Sequence, residues 1–176
     1  MDEGRRASRV PRPAPGAGFT LVEVLVVVVI VGVLALAVTL AIGRPAERRL
    51  AREADRFAAL AAHACAHAEL SGRDVGIALL ARGYGFSRFD GDGWRPLPAD
   101  GELRARDWPE GLEARLSRDG RPVRIAEAAD RPQLVCFASG ELTPFDLVLR
   151  LGDAEEARRV RGEGDGRLRV DAVAPR

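Results

Sequence analysis

The chain has no lysine: all 27 of its basic residues are arginine. That usage reads as coding bias before it reads as function. Charge of one sign is also missing. The formal net charge is +1, so composition gives no reason to invoke nucleic acid. Cysteine is scarce, at two residues, which caps the chain at one internal disulfide. No nucleophile elbow, phosphate loop or zinc motif occurs in the sequence, and nothing in it points to an enzyme or a bound cofactor. With 176 residues in all, a chain that spends some on a leader and an anchor keeps room for one domain with a single core.

What the sequence does have is one long hydrophobic run. From Leu21 to Ile42 every position is apolar except Glu23, Gly32 and Thr39. A helix over that run reaches about 33 Å at about 1.5 Å per residue, enough for a hydrocarbon core of about 30 Å. Such a helix satisfies its own backbone hydrogen bonds, so lipid is a tolerable solvent for it. The leader carries Arg5, Arg6, Arg9 and Arg12 against Asp2 and Glu3, which favours a cytoplasmic amino terminus and puts the rest beyond the membrane. Glu23 is the anomaly. A lone carboxylate deep in a membrane helix costs on the order of 2–3 kcal/mol, less near the interface, so it is either shallow and wet or has a task.

The flanks of the run bear on that choice. A basic, proline-rich leader ends in Gly18, Phe19 follows, and Glu23 stands fifth counting from that Phe. The segment Gly18-Phe19-Thr20-Leu21-Val22-Glu23 resembles the class III signal of type IV pilin-like proteins at every position. The resemblance implies that a prepilin peptidase cuts between Gly18 and Phe19. It further implies that Phe19 becomes N-methylated and that Glu23 acts in assembly, compensating the new α-amine in its own chain or a neighbour's. Unpaired charges are costly in a low-dielectric setting, and such a pair would also fix axial register among nearly interchangeable apolar side chains.

The chain divides accordingly into a leader (1–18), a transmembrane helix (19–42), an amphipathic helix (43–72) and a β-rich domain (73–176). Gly43 and Pro45 interrupt the helical pattern and predict a kink or short break. Beyond them Leu50, Phe57, Leu60, Ala61, Ala64 and Ala68 recur at three- and four-residue spacing, an apolar stripe that wants to lie on something. Ser71-Gly72 ends the helix. Alternating runs follow at Val75–Leu79, Tyr84–Phe89, Leu112–Leu116, Val123–Ile125, 133–138 and 142–151, with a final pair at 157–161 and 167–173. Asp90-Gly91-Asp92-Gly93 and Arg118-Asp119-Gly120-Arg121 read as hairpin turns, and 98–111 as a connection with little regular structure. The fold class predicted is α+β, a long helix packed on one face of an antiparallel sheet.

Other candidate chemistry is weak. Cys65 and Cys136 are either bridged or two small core residues, and spacing alone leaves both open. His63 and His67 stand at a metal-ligand spacing on a helix, but off the apolar stripe and without a third ligand nearby, so they read as rim histidines. Asp90, Asp92 and the Glu163–Asp165 segment lack the ligand series of a calcium loop, and hairpin turns account for them.

The order of elements is similar to that of pilin-like proteins. Two passages look like the H-type minor pseudopilins of type II secretion systems: Ser71-Gly72-Arg73-Asp74-Val75-Gly76-Ile77 at the helix end, and Ser139-Gly140 before Thr143-Pro144-Phe145. The likeness weakens between 98 and 132. It implies a type IV pilin-like fold and a subunit of the inner membrane with a periplasmic domain, placed at the tip of a pseudopilus that exports folded proteins. The partners implied are prepilin peptidase and other pseudopilins through residues 19–72, with exported proteins a further candidate at the loops of 98–132. A minor pilin of a type IV pilus or DNA-uptake filament shares the amino-terminal argument. A membrane-tethered periplasmic enzyme with a conventional leader is the reading of a different class.

Overall fold

A computed structural model of the chain describes residues 20–41, 45–152 and 154–174, without the side chains of residues 37–41. The chain divides into two compact units, Met1–Gly43 and Arg44–Arg176. The first contains helix α1, Leu21–Ala41. The expected cleavage point at Gly18 and Phe19, and the expected interruption at Gly43, lie outside the described residues.

The second unit opens with helix α2, Pro45–Ser71. Proline suits the first helical position, where its missing N–H would have no partner in any case. Leu50, Ala54, Phe57, Ala61, Ala64, Cys65 and Ala68 form its buried stripe, the period the sequence displays, while Leu60 is half-buried at the margin. The helix stops at Gly72, whose φ of 64° is open to glycine at little cost. The Arg73 N–H reaches back to the Ala68 carbonyl at 3.2 Å and closes the last turn.

Among the described residues ten strands follow: β1 (Val75–Leu80), β2 (Gly83–Phe89), β3 (Trp94–Pro96), β4 (Arg106–Asp107), β5 (Leu112–Arg118), β6 (Arg121–Val123), β7 (Leu134–Cys136), β8 (Phe145–Leu151), β9 (Ala157–Gly162) and β10 (Leu168–Val173). They make two antiparallel sheets rather than one. The first has the order β3-β2-β1-β7, with β4 also paired to β2; the second has the order β10-β9-β8-β5-β6. Helix α2 lies against β1 and β7 of the first sheet and β8, β9 and β10 of the second, so one helix closes two cores into one.

The hairpin turns fall where acid–glycine pairs stand. Phe89 pairs with Trp94 across residues 90–93, and Arg118 pairs with Arg121 across Asp119 and Gly120. Both residues of that two-residue turn have positive φ, 50° and 74°, as the strand twist demands. The segment 133–151 behaves differently from a simple strand–turn–strand unit. Its turn does close, with Phe137 N–H on the Glu141 carbonyl at 2.8 Å. Thr143 then bonds Val135 through its own N–H (2.9 Å) and accepts the Val135 N–H on Oγ1 (3.1 Å). From Pro144 the chain leaves the first sheet, and β8 joins the second.

The stretch 98–111, expected to be a loop, contains β4 and two core side chains, Leu103 and Trp108. Gly83 makes this possible, since a Cβ there would overlap the Arg106 carbonyl of β4. Phe57 of α2 is the hub of the resulting aromatic core. Its ring centroid lies 5.1 Å from Tyr84, 6.0 Å from Trp108 and 6.3 Å from Phe145.

Candidate functional site

The first turn of α1 is built by Thr20. Its carbonyl accepts the N–H groups of Glu23 (3.0 Å) and Val24 (3.2 Å), and its Oγ1 accepts the Glu23 N–H at 3.2 Å. Thr20 is thus the N-cap and Glu23 the third residue of the helix, the Thr-x-x-Glu spacing of a capping box. A carboxylate in the first turn also meets the positive end of the helix dipole. Glu23 therefore has a local structural reason to be where it is, beside any role in assembly.

Behind that acid, every described side chain of α1 is exposed, from Leu21 at 82% to Val26 at 47%. Thirteen large apolar side chains of one helix are uncovered. At about 1.5–3 kcal/mol for each one taken from water, covering them is worth tens of kcal/mol, beyond the roughly 5–15 kcal/mol that holds a domain folded. Among the described residues no helix is long and apolar enough to cross a membrane; the described side chains of α1 stop at Leu36.

In the second unit Cys65 of α2 and Cys136 of β7 form a disulfide, with Cα atoms 4.8 Å apart. Both residues are buried, so the bridge is also core packing. His63 Nε2 lies 3.0 Å from Glu102 Oε2, an exposed contact between α2 and the 98–103 segment. Asp90 sits among Arg73 (3.0 Å), Arg88 (2.8 Å) and Arg95 (3.4 Å). The hydrogen bond from Arg88 holds the Asp90 carboxyl below its ordinary pKa. Glu163 and Asp165 are likewise taken by Arg167, and Glu163 by Arg169. Among the described residues no group of three or more His, Cys, Asp or Glu side chains is placed to hold a metal ion.

One pair escaped the sequence reading. Glu53 falls on the buried side of α2 at 6% exposure, and Tyr84 of β2 is buried with it. Arg56 reaches one Glu53 oxygen at 3.3 Å; the other, Oε1, and the Tyr84 hydroxyl have no hydrogen-bond partner among the described residues. Burial, with the nearby Glu53 charge, raises the Tyr84 phenol well above its ordinary value. The available signal was positional: Glu53 lies three residues after Leu50 and four before Phe57, inside the apolar stripe.

With that geometry in hand, likeness to known proteins decides the family. Residues 53–166 match the family described as Type II transport protein GspH, and residues 16–39 match the prokaryotic N-terminal methylation motif. The chain belongs to the GspH family. It is 33% identical to Type II secretion system protein H of Aeromonas hydrophila, over 88% of this chain and 92% of that protein. It is 36% identical to the Pseudomonas aeruginosa protein of the same name, over 75% of this chain and 81% of that one. Among solved structures, the minor pseudopilin EpsH of the Vibrio cholerae Type 2 Secretion System superposes with a TM-score of 0.60 at 26% identity, covering 70% of this chain and 97% of that one. The solution structure of E. coli GspH gives 0.58 at 27% identity, covering 75% and 95%. The fold of the second unit is therefore the pseudopilin one, with helix α2 packed on antiparallel sheets.

Proposed function

We propose that this GspH-family chain is a membrane-anchored minor pseudopilin, cut by prepilin peptidase between Gly18 and Phe19 and N-methylated on Phe19. It is then built through α1 into the tip of a short periplasmic pseudopilus that serves the export of folded proteins across the outer membrane. The observation that carries this reading is the union in one chain of a methylation motif at 16–39 and a GspH domain at 53–166. The uncovered side chains of α1 support it, because they require either lipid or a bundle of like helices. The apolar run continues to Ile42 in the sequence, which supplies the length of an inner-membrane span. The Cys65–Cys136 bridge suits an oxidising compartment such as the periplasm.

The role is mechanical, and the chain itself catalyses no reaction in it. Prepilin peptidase and the other pseudopilins, through α1 and α2, are its partners. Glu23 stands four residues after Phe19 in sequence, where it compensates the amine that cleavage uncovers, in its own chain or the next. Mass spectrometry of the mature amino terminus tests the reading, with N-methyl-Phe19 expected. A functional chain that keeps residues 1–18, or one that starts beyond Ala41, overturns it. A Glu23→Ala chain should be cleaved normally yet enter the filament poorly; normal incorporation would refute the assembly role.

A further inference from the structure

The terminal strands of the two sheets leave little backbone open, with one exception. In the first sheet β3 spans three residues and ends in Pro96. At the other end β7 has its outer side taken by Thr143, which bonds Val135 in both directions. In the second sheet β6 also has three residues, with Pro122 at its centre. Short strands and prolines are how sheets close their edges to other chains. Strand β10 has neither device. It pairs with β9 over Leu168–Val173 in unbroken register, without proline, and among the described residues no strand lies on its other side.

The hairpin decides which of its backbone groups stand open. The Glu163 N–H bonds the Arg167 carbonyl at 2.9 Å, and hydrogen-bonded pairs alternate along an antiparallel ladder. Arg169–Arg161, Asp171–Arg159 and Val173–Ala157 are therefore the bonded pairs. Leu168, Val170 and Ala172 turn their N–H and carbonyl groups away from β9, and no other group among the described residues bonds them. Side chains divide by the same parity. Leu168 and Val170 pack against the core, whereas Arg169 and Asp171 point the other way and are exposed. Glu163 stands 3.6 Å from Arg169, beyond hydrogen-bond distance.

We propose that β10 accepts an extended segment of another protein as a sixth, antiparallel strand of the second sheet. Such a strand offers its own N–H and carbonyl groups to Leu168, Val170 and Ala172. Apolar residues opposite those three continue the half-buried side. A base opposite Asp171 and an acid opposite Arg169 make favourable cross-strand pairs on the exposed side. Read from its amino end, the segment runs apolar, basic, apolar, acidic, apolar, centred on Val170. Strand β10 has that pattern itself, Leu168-Arg169-Val170-Asp171-Ala172. Two-fold pairing of two copies, however, would reverse every direction lying in the sheet. Their α2 helices, whose amino ends lead to the anchors, would run oppositely, which suits two chains held in one membrane poorly.

The test uses the mature full-length chain in detergent and the blocked peptide Thr-Val-Lys-Val-Glu-Val-Thr. N-methyl groups on its Lys and Glu close the edge facing away from β10 and keep the peptide from stacking on itself. Calorimetry should give saturable binding below millimolar peptide. The Leu168, Val170 and Ala172 amides, open to hydrogen exchange in the free chain, should slow in step. Moving the methyl groups to the second and third Val, which face β10, should abolish both signals. Exchanging Lys and Glu should weaken binding roughly 5-fold. Asp171→Arg, an exposed substitution that keeps the fold, should weaken it as much, and a peptide with Glu in place of Lys should restore it. Val170→Pro removes an outward N–H and no bond to β9, and should abolish binding. Equal binding of the two methylated peptides overturns the proposal, as does no saturation at millimolar peptide. Binding indifferent to both the Lys–Glu exchange and Asp171→Arg overturns it too. So does sedimentation of the free chain as a dimer that Val170→Pro dissociates, since a second copy would then hold the edge.

Discussion

Helices α1 and α2 are near neighbours in sequence and opposite in circumstance. Along α2 the apolar side chains fall on one stripe, and that stripe is closed to solvent by two sheets of its own domain. Along α1 they fall all the way round, and every described one is open. A stripe can be satisfied from one side, which a single domain can supply. A helix that is apolar on all sides needs a surrounding medium. The first helix therefore looks outside the chain to cover its apolar surface, and the second covers its stripe within it.

The largest effect that would break or sharpen the contrast is at Phe57. Its ring is fully buried among Tyr84, Trp108 and Phe145, so Phe57→Ala should cost about 3–5 kcal/mol, read by chemical denaturation of the full chain in detergent. Val27→Ala, the corresponding truncation in α1, should leave the domain's denaturation midpoint where it was. Equal losses at the two sites would mean that the helices are not the separate cases described here.

Next in size is the disulfide. It closes a loop across a sequence separation of 71, and removing such a crosslink frees roughly 4 kcal/mol of chain entropy in the unfolded state. The double variant Cys65→Ala/Cys136→Ala should lose stability on that scale while α1 still partitions into micelles. A loss under about 1 kcal/mol would mean that packing of α2 on β7 holds without the bridge.

Much of this division was legible in the residues. The nearly continuous apolar run from Leu21 and the three- and four-residue spacing from Leu50 give one helix apolar on all sides and one buried stripe. The acid–glycine turns place the hairpins, because only a few residue types accept their φ angles. Two sheets in place of one were not legible, since alternation tells which side of a strand is buried and not which sheet it joins. Thr143 still bonds Val135 before β8 joins the second sheet, a contact with no periodic pattern of its own. Leu103 and Trp108 were hidden for a similar reason: two isolated apolar residues make no period. Glu53 was hidden because a charge beside a stripe reads as solvated. The amino-terminal motif was plain by contrast, since it is contiguous in sequence and the match to the methylation motif covers it; the Thr20 cap within it was not read.

Tyr84 offers a smaller effect, seen only in alkali. It is the chain's one tyrosine, so phenolate absorbance reports it alone. Its pKa is raised in the fold above the ordinary value of 10.0 by burial and by Glu53. The folded state thus favours the neutral phenol. The associated stability is complete below pH 10.0 and is lost as pH climbs from there toward the folded value. Phenolate should therefore appear late and together with unfolding, whereas in denaturant it should appear near the ordinary value. Glu53→Gln should let the folded phenol ionise earlier. An unchanged titration in that variant would remove Glu53 from the account and leave desolvation alone.

The smallest effect belongs to Asp90, on the exposed rim where α2 ends. Three arginines meet this carboxylate, one of them Arg73 just past the helix, yet each is well exposed and water screens the attraction. The Asp90 pKa is held below 3.8, first by the hydrogen bond from Arg88. Its contribution is accordingly present above that ordinary value and fades as pH falls through the folded one. Asp90→Asn lacks the charge at every pH. The stability gap between wild type and variant should be constant from neutral pH down to the ordinary carboxyl range and should close below it. A gap that persisted in strong acid would show that Asp90 acts through the shape of the β2–β3 turn, and its ion pairs would then have no part in how the end of α2 is fastened to the sheet.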